Sequence, residues 1–218
     1  VTSPNFGPRR ENARPDLVVI HYTAMADCAA AERTLCNPDL EVSAHYLISE
    51  AGEVTQLVPE EERAWHAGAG QWGSVTDVNS RSIGIELSNI GTAPFAAKQM
   101  DALEDLLRGI MSRWDIPPER IIGHSDLAPH RKIDPGARFD WNRLAKQGLA
   151  IRAAQTDVET TDLEGDLLTA LRTIGYADHP LGALLPAFRL RHRQRFDGPA
   201  DITDLRLAAY LAETYPAR

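Results

Sequence analysis

The sequence predicts an α/β fold: a mixed central β-sheet flanked by helices, followed by a small three-helix C-terminal domain. Three patterns lead there. Short β-branched runs recur through the first 125 or so residues, with helical stretches between them, and strands interleaved with helices imply a sheet covered by helices. A polar stretch, Ala153 to Thr161, interrupts the apolar patterning. Beyond it lie only helical periodicities. The expected division is residues 1–152, a linker at 153–161, and residues 162–218 as a three-helix unit near the lower size limit for independent folding.

In chain order, Asp16 to Thr23 is a short apolar run after Pro15 and reads as a buried strand. Met25 to Leu35 is Ala-rich and helix-prone, ending near Asn37-Pro38. Val42 to Ser49 and Glu53 to Val58 read as two strands of a hairpin turned at Glu50-Ala51-Gly52. A long loop rich in Gly, Trp and Asn runs from Arg63 to Ser80, and loops of this length are commonly functional or disordered. Ser82 to Ser88 alternates, with Ile83, Ile85 and Leu87 on one face and Glu86 and Ser88 on the other. Gln99 to Trp114 carries Leu103, Leu106, Leu107, Ile110 and Trp114 on one helical stripe. Arg120 to His124 supplies a last short strand, and a Pro/Gly-containing loop leads to Phe139-Asp140-Trp141. Three further stripes follow: Leu163 to Ile174, Leu181 to Phe188, and Leu205 to Ala212, the last after Thr203 as the expected N-cap.

Composition narrows the functional classes. Hydrophobic residues are 43% and charged residues 25%, the balance of an ordinary globular protein. No run approaches the roughly 18 apolar residues that a membrane-spanning helix needs. The formal charge of −8 argues against nucleic acid as a partner, because phosphate neutralisation needs surplus Lys and Arg. Cys28 and Cys36, eight positions apart in a helical stretch, are expected to be free thiols, a pattern of reducing compartments. Val1 to Arg14 has no apolar core of the signal-peptide kind. A cytoplasmic location is therefore expected, with the periplasm or cell envelope as the alternative for a mature form. A monomer is expected.

Three residues suit a metal. His21 ends the first strand, His124 ends the last, and Asp134 follows in a constrained loop before Pro135. Two imidazoles and one carboxylate leave a fourth tetrahedral position open, as catalytic zinc sites require. Taken alone the trio also fits structural histidines, since no compact HExxH motif is present.

The surrounding residues add the specificity. Ile122-Gly123-His124-Ser125-Asp126-Leu127-Ala128-Pro129-His130-Arg131-Lys132-Ile133-Asp134-Pro135-Gly136 strongly resembles a stretch of the type 2 N-acetylmuramoyl-L-alanine amidases, the AmpD/AmiD-like branch. Val19 to Thr23, Ser43 to Ile48, Ala64-Trp65-His66-Ala67-Gly68 and Asn79 through Asn89 match in the same order. The resemblance covers Asp16 to about Trp141 and implies an amidase/peptidoglycan-recognition-like fold. It further implies Zn2+ held by His21, His124 and Asp134, with Glu86 and Lys132 at the reaction centre. The implied reaction is hydrolysis of the amide between N-acetylmuramic acid, or its 1,6-anhydro form, and L-alanine in peptidoglycan or muropeptide fragments.

On this reading Glu86 is the base that moves the proton of water to the leaving amine, and Lys132 steadies the developing oxyanion. Without the resemblance they read as a solvated strand residue and a surface lysine. Substrate-binding candidates are His45, His66, Asn79 and Asn89. His45 also reads as a structural histidine, His66 as a loop-holding one, and the two asparagines as turn residues. His130 is expected to be exposed. Phage amidases and animal peptidoglycan-recognition proteins carry a catalytic Tyr where Ala44 aligns here, and a Cys as third ligand; Asp134 places this chain with the bacterial enzymes.

The C-terminal segment, with Gly175-Tyr176, the Phe188 helix and Asp197-Gly198, looks like a three-helix peptidoglycan-binding domain over Thr160 to Ala212. Arg189, Arg191, Arg193 and Arg195 would form a basic face, either solvated or meeting anionic wall polymers. Two other classes remain: a non-catalytic peptidoglycan-binding or recognition protein, and a wall-anchoring protein. Within the enzyme class, cytoplasmic recycling and envelope remodelling compete.

Overall fold

The computed structural model describes residues 2–217. Its centre is a five-stranded mixed sheet built from β2 (Leu17–Tyr22), β3 (Tyr46–Ile48), β4 (Val54–Gln56), β6 (Ser82–Leu87) and β7 (Ile121–Gly123), in the spatial order β4-β3-β6-β2-β7. Only β3 and β4 pair antiparallel, as the predicted hairpin; β3–β6, β6–β2 and β2–β7 are parallel. A second, two-stranded sheet pairs β1 (Phe6–Pro8) with β5 (Glu62–Ala64). Sequence patterning did not mark these two strands, since neither carries an alternating apolar face.

The two faces of the sheet follow from side-chain alternation. Val18 and Ile20 of β2 and Ile83, Ile85 and Leu87 of β6 pack against α3 (Ala97–Trp114) through Met100, Leu103, Leu107 and Ile110. Each such fully buried aliphatic side chain contributes about 1.5–3 kcal/mol. The predicted stripe is thus largely right; Leu106 and Trp114 lie at its edge and are only partly buried. On the opposite face, Leu17 and Val19 join Ile122 and the C-terminal helices in one apolar cluster. By the same alternation His21 belongs to this second face, and so do Ser82, Gly84 and Glu86 of β6. The β2–β6 register sets His21 beside Glu86.

The remaining helices are α1 (Cys28–Leu35), α2 (Val78–Arg81), α4 (His124–Leu127), α5 (Trp141–Lys146), α6 (Leu163–Ile174), α7 (Leu181–His192) and α8 (Ile202–Thr214). Cys28 and Cys36 are free. The residues between Ile151 and Asp162 have no regular structure. Leu167, Leu171, Leu184, Phe188, Leu205 and Leu211 share their cluster with the sheet and with Leu127 of α4. No described helix is long and apolar enough to cross a membrane.

Two expectations about the C-terminal helices are corrected. The α8 N-cap is Asp201, not Thr203: its carboxylate accepts from the backbone N–H of Thr203 and Asp204, while Asp204 accepts from the Asp201 N–H. A carboxylate two residues earlier reaches the exposed amides of the first turn, and Thr203 already lies inside it. Of the four arginines only Arg195 is exposed, so they form no outward basic face. Arg189 is buried and grips Asp204, with Nη2–Oδ2 at 2.5 Å. Arg191 is buried too, donating to the Ile121 carbonyl at 2.7 Å and to Asp126 at 3.2 Å. Arg193 pairs with Asp201 and Asp204. A guanidinium enters a protein interior when carboxylates and carbonyls take up its donors; those of Arg189 are so held, and Arg191 leaves only its Nε unpaired.

Candidate active site

The site lies at the C-terminal end of the parallel strands, as ligand sites in α/β sheets commonly do. His21 is the penultimate residue of β2. His124 does not end β7 as expected but opens α4 immediately after it. Asp134 follows in the loop, which folds back so that its carbonyl accepts from the Ser125 N–H at 2.9 Å. Gly123 permits that return: a Cβ there would lie 2.7 Å from Cδ of Pro135.

Three buried ligand atoms converge. His21 Nδ1 is 3.0 Å from His124 Nδ1 and 2.9 Å from Asp134 Oδ2, and His124 Nδ1 is 3.1 Å from the same oxygen. One ligand atom from each of these residues can meet a common ion. His124 Nε2 faces the Ala67 carbonyl at 2.9 Å. A carbonyl only accepts, so the ring proton sits on Nε2 and Nδ1 is left as a bare lone pair. Burial and the neighbouring His124 lower the His21 pKa to about 4. Burial raises that of Asp134, but its close contacts with His124 and His21 outweigh it and hold the carboxyl well below the usual range.

Glu86 and Lys132 line the same cleft, together with His21, Tyr22, Trp65 and His66. The cleft measures about 390 Å³, a size that suits a small ligand. Glu86 is half-buried, and its Oε2 has no hydrogen-bond partner. Burial chiefly, with the Asp134 charge second, pushes its pKa up to about 8, against the lowering influence of Lys132. A solvated strand carboxylate would show neither feature.

The four substrate-binding candidates divide. His66 faces the cleft, with its Nδ1 3.0 Å from His21 Nε2. Burial and the rings of His21, His45 and His124 hold its pKa well below the ordinary value. His45 is fully buried away from the cleft; it accepts from the Gly84 N–H at 3.0 Å and meets the Glu62 carbonyl at 3.0 Å. Asn79 spends its side-chain oxygen on the N–H groups of His66 and Ala67, at 3.1 and 2.8 Å. Asn89 accepts from Gly91 N–H at 2.7 Å and donates to Ala93 and Pro94 carbonyls. All three shape the loops around the cleft rather than line it. His130 is exposed, as expected, and its ring meets that of His179, with centroids 4.6 Å apart.

Sequence reasoning passed over Arg131 and Asp126. Arg131 ties the Trp65-His66-Ala67-Gly68 loop by donating to the Ala67 carbonyl at 2.7 Å and to that of Ala69. Asp126 is fully buried and receives Gly123 N–H at 2.8 Å, Tyr176 Oη–H at 2.6 Å and Arg191. Gly123 is a local partner, but Tyr176 and Arg191 are distant in the chain, and nothing near Asp126 in sequence announces them.

The match with known proteins follows this geometry. Residues 11–137 fit the N-acetylmuramoyl-L-alanine amidase family model. This chain belongs to that family. It is 37% identical to the N-acetylmuramoyl-L-alanine amidase AmiD of Escherichia coli over 93% of this chain and 84% of that protein. The structure of AmiD with anhydro-N-acetylmuramic acid-L-Ala-D-gamma-Glu-L-Lys superposes with a TM-score of 0.86 at 33% identity, covering 100% of this chain and 94% of the other. Pseudomonas aeruginosa AmpDh3 superposes at 0.83 with 31% identity, covering 100% and 96%. Both alignments include α6–α8, so the helical C-terminal region is common to this chain and these family members.

Proposed function

We propose that this protein hydrolyses the amide joining N-acetylmuramic acid, or its 1,6-anhydro form, to L-alanine in peptidoglycan fragments, with Zn2+ held by His21, His124 and Asp134. The observation that carries this reading is the convergence of two Nδ1 atoms and one carboxylate oxygen beside Glu86 and Lys132 in one cleft. Tetrahedral zinc with bonds of about 2.0–2.1 Å keeps its ligand atoms roughly 3.3 Å apart, and the observed separations of 2.9 to 3.1 Å approach that. Imidazole and carboxylate are ordinary zinc donors, so the residues fit the ion.

When bound, zinc supplies a Lewis acid and brings the pKa of water to about 7. The residues do the rest. Glu86 takes the proton of the attacking water and delivers it to the amine nitrogen as the C–N bond breaks. Its raised pKa suits the acid half of this cycle, and a divalent cation nearby draws it back toward the base half. Lys132 places an ammonium where negative charge collects on the scissile carbonyl oxygen. A muropeptide ligand in the closely similar AmiD structure supports the choice of substrate. A binding protein without hydrolysis is disfavoured, because it would have no use for an unpartnered Glu86 beside a complete ligand set.

The test is mass spectrometry of products from defined muropeptides, with the zinc-loaded protein and after chelation. Release of a peptide beginning with L-alanine, lost on chelation and restored by zinc, is expected. Intact substrate after incubation with the zinc-loaded protein would overturn the proposal.

A further inference from the structure

His66 is joined to His21 by a short chain of hydrogen bonds whose direction is dictated at its far end. Ser82 Oγ lies 2.5 Å from the Val78 carbonyl of α2. A carbonyl oxygen only accepts, so the single hydroxyl proton of Ser82 is committed there. The Ser82 oxygen, 3.1 Å from His66 Nε2, therefore accepts, which puts the ring proton of His66 on Nε2. In a neutral imidazole the other nitrogen is then bare. His66 Nδ1, 3.0 Å from His21 Nε2, accepts in turn. His21 carries its proton on Nε2, and its Nδ1 is left as a lone pair facing His124 Nδ1 and Asp134 Oδ2.

Neutrality of His66 follows from its company. The ring meets those of His21 and His45 at centroid distances of 5.1 and 5.8 Å, and among the described residues no carboxylate is hydrogen-bonded to it. A charge placed there would lack a counterion. The ring also has a prepared seat. A Cβ at position 84 would lie 2.4 Å from His66 Cγ, so the ring rests on bare backbone between Ser82 and Glu86. Glycine inside an apolar strand commonly marks such a close approach. Asn79 holds the loop from the other side through the His66 and Ala67 N–H groups.

We propose that His66 is a positioning residue for the metal centre: it fixes the tautomer and ring orientation of His21, with Ser82 as anchor and Gly84 as seat. The role resembles that of the outer groups that orient metal-bound histidines elsewhere, here filled by an imidazole and a hydroxyl in series. It rests on the zinc reading given above.

The test combines a spectroscopic measurement on the unaltered protein with zinc affinities of variants. In the zinc-loaded full chain with 15N-labelled histidine, long-range proton–nitrogen correlations are expected to show both His21 and His66 protonated on Nε2. A His21 protonated on Nδ1 would overturn the proposal. In competition with a chromophoric chelator, His66→Ala is expected to weaken zinc binding about 10- to 100-fold, as losses of such outer partners do. His66→Asn, whose amide oxygen can take the acceptor place, is expected to recover part of that loss, and Ser82→Ala to fall between. A His66→Ala protein with unchanged melting temperature and unchanged zinc affinity would reject the assignment. A wild-type chain that takes up no zinc at all would instead overturn the metal reading, which these outcomes keep separate.

Discussion

His21 and His124 reach the same point on two different kinds of support. His21 stands on β2, hydrogen-bonded along both edges to β6 and β7, so its direction comes from strand alternation. His124 opens a helix of four residues that is tied to the C-terminal helices through Asp126, which meets Arg191 of α7 and Tyr176 beyond α6. The sheet side is determined by short-range periodicity. The loop side depends on a buried charge pair made across 65 residues of chain. A family motif can thus look continuous in sequence while part of its buried contacts come from the C-terminal helices.

Four experiments would break or sharpen this contrast. His124→Ala has the largest expected effect: removal of one of three ligands is expected to abolish zinc uptake and turnover, read by metal analysis and product formation. Glu86→Ala, on the sheet side, is expected to keep zinc while lowering kcat by about a hundredfold to ten-thousandfold; a near-normal kcat would remove Glu86 from the mechanism. Asp126→Ala is expected to cost about 3–5 kcal/mol in urea unfolding, because it strands the buried Arg191 guanidinium. Zinc binding should weaken in the same variant, since the His124 turn loses its tie. An unchanged unfolding midpoint would show that the loop side stands without α7.

The smallest effect concerns pH. Burial, with Arg9 second, lowers the His45 pKa from 6.5 to about 3 in the folded protein. The unfolded chain therefore binds this proton first as pH falls, and stability that is complete above pH 6.5 drains away toward pH 3. From pH 7 to 5 this group alone accounts for about 2 kcal/mol. Urea midpoints across that range are expected to fall with acid and to fall less steeply in His45→Asn. Equal slopes would show that His45 is not buried neutral.

Much of the fold was readable in the sequence because strands and helices write their burial into nearby residues. Ile83, Ile85 and Leu87 declared one sheet face, and the stripe through Leu103, Leu107 and Ile110 declared the helix that covers it. The ligand set was readable through motif context around His124 and Asp134, and the structure brings those residues together with His21. The β1–β5 pair escaped because nothing local distinguishes three polar-flanked residues as a strand.

The sequence by itself determined which side chains can carry the chemistry, since residue type and local spacing are short-range properties. Only the tertiary structure decided which polar groups were still free to use it. Asn79 and Asn89 spend their amides on neighbouring backbone, and Arg189 and Arg191 turn inward to carboxylates. Glu86 keeps an oxygen unpaired at the cleft. A hydrogen bond consumes a donor and an acceptor wherever the chain happens to bring them together, and that meeting is not written in either residue's neighbours.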